Sequence, residues 1–228
     1  MIKKTKFMLK NLIYVLTLKK IPVLHWTSKY EYNLKPKLIT VFYLIFGLIL
    51  FGIGETLLIT AGIGVSPWFV LHQGLSLVSG FSIGITTFIV SVIVLFLWIP
   101  IKQKPGLGTI LNAILISVVV DITIFILPYP ETLIFKIIQV IIAMFIIGIG
   151  SGFYLIANLG PGPRDGLMTG LQRKTKYSFT SIRTILEISA VLFGFLLGGV
   201  IGLGTVLYAI MVGPSVSLGF YVVGRLFK

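Results

Sequence analysis

Between Leu38 and Ile101 only two side chains, Glu55 and His72, can carry charge near neutral pH. The first apolar run, Leu38 to Ala61, is by itself long enough to cross a bilayer core, which takes roughly 20 helical residues. With 57% apolar and 11% charged residues in 228, the chain lacks the polar surface to cover a water-soluble globule, so lipid must solvate it. Five further runs follow. Ser82 to Ile101 ends at Lys102-Gln103-Lys104-Pro105, and Gly106 to Leu127 ends at Pro128-Tyr129-Pro130-Glu131, where two prolines stop a helix. Thr132 to Ala157, Ser178 to Gly199 and Leu203 to Val223 complete six predicted spans.

Short cytoplasmic loops retain Lys and Arg, whereas translocated loops are depleted of them. With six alternating spans, 18 of the 19 basic residues fall on the side of both termini and only Lys136 on the other. This predicts a multi-pass plasma-membrane protein with cytoplasmic N- and C-termini. A net charge of +13 could suggest nucleic acid, but the basic residues flank apolar runs, so nucleic acid is not expected as a partner. Without cysteine, and with His25 and His72 far apart, neither a thiol-dependent reaction nor a metal site is expected, and no cofactor is predicted. No phosphate loop or nucleophile elbow occurs, so no enzyme is predicted. Residues 1–37 form a basic cytoplasmic segment. Its lysines interleave with Phe7, Tyr14, Trp26, Tyr30 and Tyr32, a pattern suited either to an anionic inner leaflet or to a loose tail.

An ungapped offset of 96 residues superposes the two halves. Gly52-Ile53-Gly54 falls on Gly148-Ile149-Gly150, Ala61 on Ala157, Gly64 on Gly160, Pro67 on Pro163 and Gly74-Leu75 on Gly170-Leu171. Farther along, Ser82 falls on Ser178 and Gly106-Leu107-Gly108-Thr109 on Gly202-Leu203-Gly204-Thr205. Residues 38–131 and 132–228 are therefore read as two membrane repeats. Three spans per repeat reverse the second relative to the first, an architecture found in many transporters. The expected fold is an all-α polytopic membrane protein of six transmembrane helices in two inverted three-helix repeats.

Each repeat also holds a short segment, opened by Gly64-Val65-Ser66-Pro67-Trp68 and by Gly160-Pro161-Gly162-Pro163-Arg164-Asp165. Both read as a loop, an N-cap and a proline at the first helical position. About 13 residues at 1.5 Å each reach only some 20 Å, so these are half-helices or interface helices. As half-helices they aim positive dipole ends and free N–H groups suited to an anion, and Ser66, Trp68, Arg164 and Asp165 become binding candidates. As lateral connectors they carry only an acid, Asp165, that satisfies its own dipole.

Glu55, Asp121 and Glu187 are costly in hydrocarbon and need a partner, a proton or water. Glu55 and Asp121, both in the outer half by helical rise, could share one outer cavity or be capped by backbone groups or by Asn and Ser neighbours; their repeat equivalents are Ser151 and Ser217. Arg183 and Glu187, four apart, either pair with each other or leave Arg183 to face an anion together with Arg164.

The stretches Gly64 to Trp68, Pro105 to Thr109, Gly162-Pro163-Arg164-Asp165-Gly166-Leu167-Met168 and Gly202 to Thr205 resemble the bacterial YczE-type integral membrane proteins, grouped with YyaS and YitT, over roughly residues 38–223. The resemblance implies membrane location and fold and leaves the substrate open. It also implies an acid after the Pro-Trp pair; Phe69 stands there, while Asp165 keeps the acid in the second repeat. The functional expectation is a transporter or permease of a small anionic solute. The alternative is a non-transporting accessory or regulatory protein that acts through its basic N-terminal segment.

Overall fold

The computed structural model describes residues 21–227, all helix and connecting loop. In chain order the helices are α1 (Leu38–Ala61), α2 (Pro67–Ser79), α3 (Ile83–Phe96), α4 (Trp98–Ile101), α5 (Leu107–Thr123), α6 (Leu133–Ile156), α7 (Pro163–Lys174), α8 (Phe179–Leu196) and α9 (Leu203–Leu226). Five stretches are long and apolar enough to cross a membrane: α1, α3 continued into α4, α6, α8 and α9. The sixth expected span, residues 106–127, holds a helix of 17 residues, Leu107–Thr123. Pro128 restrains the residue before it from helical dihedrals, and Ile126 and Leu127 close instead as turns on the Thr123 carbonyl.

Local signals explain the boundaries. Pro67 and Pro163 stand at the first helical position of α2 and α7. Ser82 caps α3 by accepting from the Ile85 amide, and Ser178 caps α8 by accepting from the Ser181 amide, both at 3.1 Å. The α5 and α9 starts match as well: Gly106 N donates to Thr109 Oγ1 and Gly202 N to Thr205 Oγ1. Where α1 ends, Gly62 and Gly64 adopt positive φ of 67° and 109°; 96 residues on, after α6, Asn158 and Gly160 do so at 51° and 106°.

The helices pack as two bodies joined through α2 and through packing of α3 on α5. α1, α5, α6 and α9 surround one apolar core that includes Leu48, Met144, Ile147 and Val223 and takes in Phe69 and Val70 of α2. α2, α3, α4, α7 and α8 share a smaller one around Trp98, Leu167 and Ile182. Small residues bring α1, α6 and α9 together. A Cβ on Gly150 would lie 2.7 Å from the Gly47 carbonyl, and one on Gly148 would lie 2.2 Å from the Ser215 carbonyl. Each short helix packs on the second long helix of the other half: Gly74 of α2 lies against Gly194 and Leu197, and Gly170 of α7 against Ile101. Two backbone bonds tie the loops before the short helices to distant helix starts, Gly204 N to Ile63 O at 2.7 Å and Gly108 N to Leu159 O at 2.6 Å.

Residues 1–20, with six of the nine N-terminal lysines, lie outside the described residues. Of the aromatics assigned to a lipid surface, Tyr30 is 74% exposed, but Trp26 is fully buried. Its indole packs 4.7 Å from Tyr43 and 6.2 Å from Phe227 by ring centroid. Ser28 N donates to Ala157 O, and Asn158 Nδ2 to Ser28 O, latching this stretch to the end of α6. Trp26 and Ser28 thus anchor the N-terminal segment to the core, while Tyr30, Tyr32 and Leu34 stay exposed.

Overpacking a buried helix contact costs about 1–3 kcal/mol. Gly148→Val is expected to lower the thermal unfolding midpoint in detergent, whereas Gly213→Ala, with nothing within 4 Å of its added methyl, is expected to hold or raise it. Circular dichroism melts of the two variants check this.

Candidate functional site

Where the two bodies meet, a cavity of about 360 Å3 opens between the starts of the two short helices. Pro67 and Trp68 of α2 form part of its wall, and Gly162, Arg164 and Asp165 at the start of α7 another. Asn112 of α5, Ser151 and Tyr154 of α6, Arg183 and Glu187 of α8, and Tyr208 and Ser217 of α9 complete its polar lining. Phe51, Leu155, Met168, Phe179, Val212, Val216 and Phe220 are apolar.

The first intrahelical bonds of α2 and α7 run from Val70 N to Ser66 O and from Gly166 N to Gly162 O. The amides of residues 68, 69, 164 and 165 precede them and have no intrahelical acceptor, and both helix dipoles start at this cavity. The Arg164 guanidinium stands 5.8 Å from the centroid of the Trp68 ring and, among the described residues, forms no ion pair. Trp68 itself is 7% exposed, and its Nε1–H finds no acceptor. Arg183 and Glu187 neutralise each other through a 2.8 Å contact. Asp165 accepts from the Tyr154 hydroxyl at 2.7 Å and, among the described residues, forms no ion pair. Gly166 follows because Trp98 leaves no room there: a Cβ would fall on its ring, whose Nε1–H donates to Pro163 O at 3.0 Å. The run from Gly162 to Gly166 is thereby clamped with Arg164 and Asp165 toward the cavity.

Of the eight candidate residues, Trp68, Arg164, Asp165, Arg183 and Glu187 meet at this cavity. Ser66, Glu55 and Asp121 are placed elsewhere. Ser66 occupies the N-cap position of α2 but makes no capping bond; its hydroxyl donates to Glu55 Oε2 at 2.8 Å. Glu55 is fully buried, and its Oε1 has no partner. Asp121 ties α5 to the start of α3, accepting from the Ser82 hydroxyl and from the Gly84 amide at 2.7 Å. The two acids are therefore held by separate partners on different elements rather than by one shared outer pocket. Their repeat equivalents, Ser151 and Ser217, do line the cavity.

Sequence reasoning passed over Tyr154, Tyr208 and Asn112, polar groups set singly in apolar runs. It also passed over Gly213-Pro214 inside α9, whose proline removes one helix bond beside the cavity. His72, marked in the sequence only as an ionisable group without a metal-binding partner, also lies close by. Its Nδ1 is 2.9 Å from Thr87 Oγ1, its Nε2 is unpartnered, and it borders a void of about 10 Å3, water-sized, shared with Asn112 and Arg164.

A family model described as a family of unknown function, DUF6198, matches residues 38–219. The chain belongs to this YczE-like family. An uncharacterized protein of Haemophilus influenzae is 41% identical over 201 residues, 88% of each chain. The uncharacterized membrane protein YczE of Bacillus subtilis is 34% identical over 189 residues, 78% of this chain and 88% of its own. The uncharacterized protein YyaS of the same organism is 28% identical over 185 residues, 79% of this chain and 92% of its own. No solved structure matches. Membership in the DUF6198 family, a relative named as a membrane protein and the five long apolar helices make this an integral membrane protein.

Removing a carboxylate that satisfies a buried backbone amide costs about 1–3 kcal/mol. Asp121→Ala is expected to lower the thermal unfolding midpoint, since it strips Ser82 and Gly84 of their acceptor, while ligand binding at the cavity is unchanged. Melting curves and binding isotherms on the same preparation separate the two effects.

Proposed function

We propose that this protein is a plasma-membrane transporter that binds a small solute through an anionic group in the cavity and moves it between two inverted repeats. The carrying observation is that two half-helix starts and a guanidinium with no ion pair among the described residues converge on one 360 Å3 cavity. Its size lies within the ~300–1,000 Å3 range of small-ligand pockets. Unmatched positive ends of discontinuous helices are how transporters of inverted-repeat design hold anionic groups.

Several paired features support the inverted arrangement at the 96-residue offset. The bonds Gly108 N to Leu159 O and Gly204 N to Ile63 O exchange between halves, as do the contacts Gly170 on Ile101 and Gly74 on Leu197. In this reading α5 is the third span of its repeat, its 17 residues reaching about 26 Å and lengthened by the turn to Leu127. Both termini are cytoplasmic, α2 enters from outside and α7 from inside, and the two bodies rock about the cavity. The work is binding and movement rather than bond-making chemistry, and no cofactor takes part.

Carboxylates are expected to raise the thermal midpoint of the purified protein, because a ligand that binds only the folded state stabilises it. With 4-methylpentanoate as probe, Arg164→Ala is expected to abolish that rise and to cut uptake into proteoliposomes about tenfold or more. Equal stabilisation of wild type and variant would overturn the assignment. The accessory reading is separated by deleting residues 1–20, a cut that spares buried Trp26 and Ser28. Retained uptake fits transport; an intact core that no longer functions fits a partner held by the basic segment.

A further inference from the structure

Four charged side chains line the cavity, and two of them, Arg183 and Glu187, cancel at 2.8 Å. The remaining pair is Arg164 and Asp165, adjacent in sequence and opposite in sign. Neither forms an ion pair with any described residue. The bond from Tyr154 orients Asp165 without neutralising it.

Each class of solute can be weighed against this lining. A simple anion would satisfy Arg164 and the two helix starts but would bring a second negative charge beside Asp165, in a cavity where charges are poorly screened. A simple cation would meet Asp165 together with a guanidinium and two positive helix ends. A neutral solute would leave both charges unmatched. Only a solute carrying a carboxylate and an ammonium close together answers both. Trp68 belongs to the same wall, and the Arg164 guanidinium lies 5.8 Å from its ring centroid, so an aromatic ring bounds the cationic group. The rest of the lining includes apolar side chains, Phe51, Leu155, Met168, Val216 and Phe220.

We propose that the solute is a small α-amino acid with an apolar side chain. Its carboxylate lies on Arg164 and the free amides of the short helices; its ammonium lies on Asp165. This rests on the anion-site reading above and narrows it. Arg164 and Asp165 then act as a matched couple, and the ion pair on α8 forms a neutral wall rather than a second binding charge.

The test uses the purified full chain in detergent and three probes of one shape: L-leucine, 4-methylpentanoate, which lacks the amine, and 3-methylbutylamine, which lacks the carboxylate. Wild type is expected to bind leucine and to bind each analogue about tenfold or more weakly, the loss of one charge-assisted contact. Asp165→Asn keeps an acceptor for Tyr154 and is expected to erase the preference for leucine over 4-methylpentanoate. Arg164→Gln is expected to lose both. Thermal midpoints verify that each variant is folded; Asp165→Glu, which keeps the charge, is expected to retain the preference, and should Asp165→Asn unfold, the ratio of leucine to 4-methylpentanoate affinity in wild type decides. If 4-methylpentanoate binds as tightly as leucine and Asp165→Asn leaves the ratio unchanged, the zwitterion is overturned while the anion site stands. If neither probe binds folded wild type, both readings fall.

Discussion

Inside a bilayer a break in a helix is tolerated only where other protein groups satisfy the freed backbone. This chain breaks after α1 and again after α6, and both breaks are closed by a helix start far away in sequence. Gly204 donates to Ile63 and Gly108 to Leu159, with glycine needed on each side because backbone approaches backbone. A Cβ on Gly64 would lie 2.6 Å from Gly202 N, and one on Gly106 would lie 2.4 Å from Leu159 O. These closures let two short helices begin in the interior of the molecule. The cavity, the free amides and the clamped Arg164 depend on them.

The charged groups then divide by whether the fold itself satisfies them. Asp121 is held by a hydroxyl and an amide at the start of α3, and Arg183 by Glu187. Among the described residues Arg164 and Asp165 form no ion pair where the two bodies meet. Two such charges lining one cavity point to a ligand. Glu55 is intermediate: Ser66 bonds one of its oxygens at the root of α2, so it sits one residue from the cavity wall at Pro67 without entering it.

Much of this was legible because lipid makes the grammar simple. Apolar length marked the long helices, proline and the residue before it marked the starts of α2 and α7, and the glycines at the 96-residue offset turned out to be sites of close backbone approach. Arg164 and Asp165 stood out as charges at a helix start. What escaped depends on side-chain direction. Ser66 has the position of a cap, yet its hydroxyl turns to Glu55, a residue 11 positions away. Trp26 sits among lysines but reaches into the core between Tyr43 and Phe227, which no local pattern announces. Tyr154 and Tyr208 are lost in apolar runs because a tyrosine counts as apolar until its hydroxyl has an address.

The account stands on opposed insertion of the two repeats, and the absence of cysteine from the chain makes this directly measurable. Single cysteines at Glu131, in the exposed loop before α6, and at Lys174, at the exposed end of α7, can be challenged in intact cells with a membrane-impermeant maleimide. The account predicts rapid labelling at position 131 and labelling at position 174 only after the cells are opened. Labelling of position 174 from outside, or equal labelling of both from one side, would contradict it.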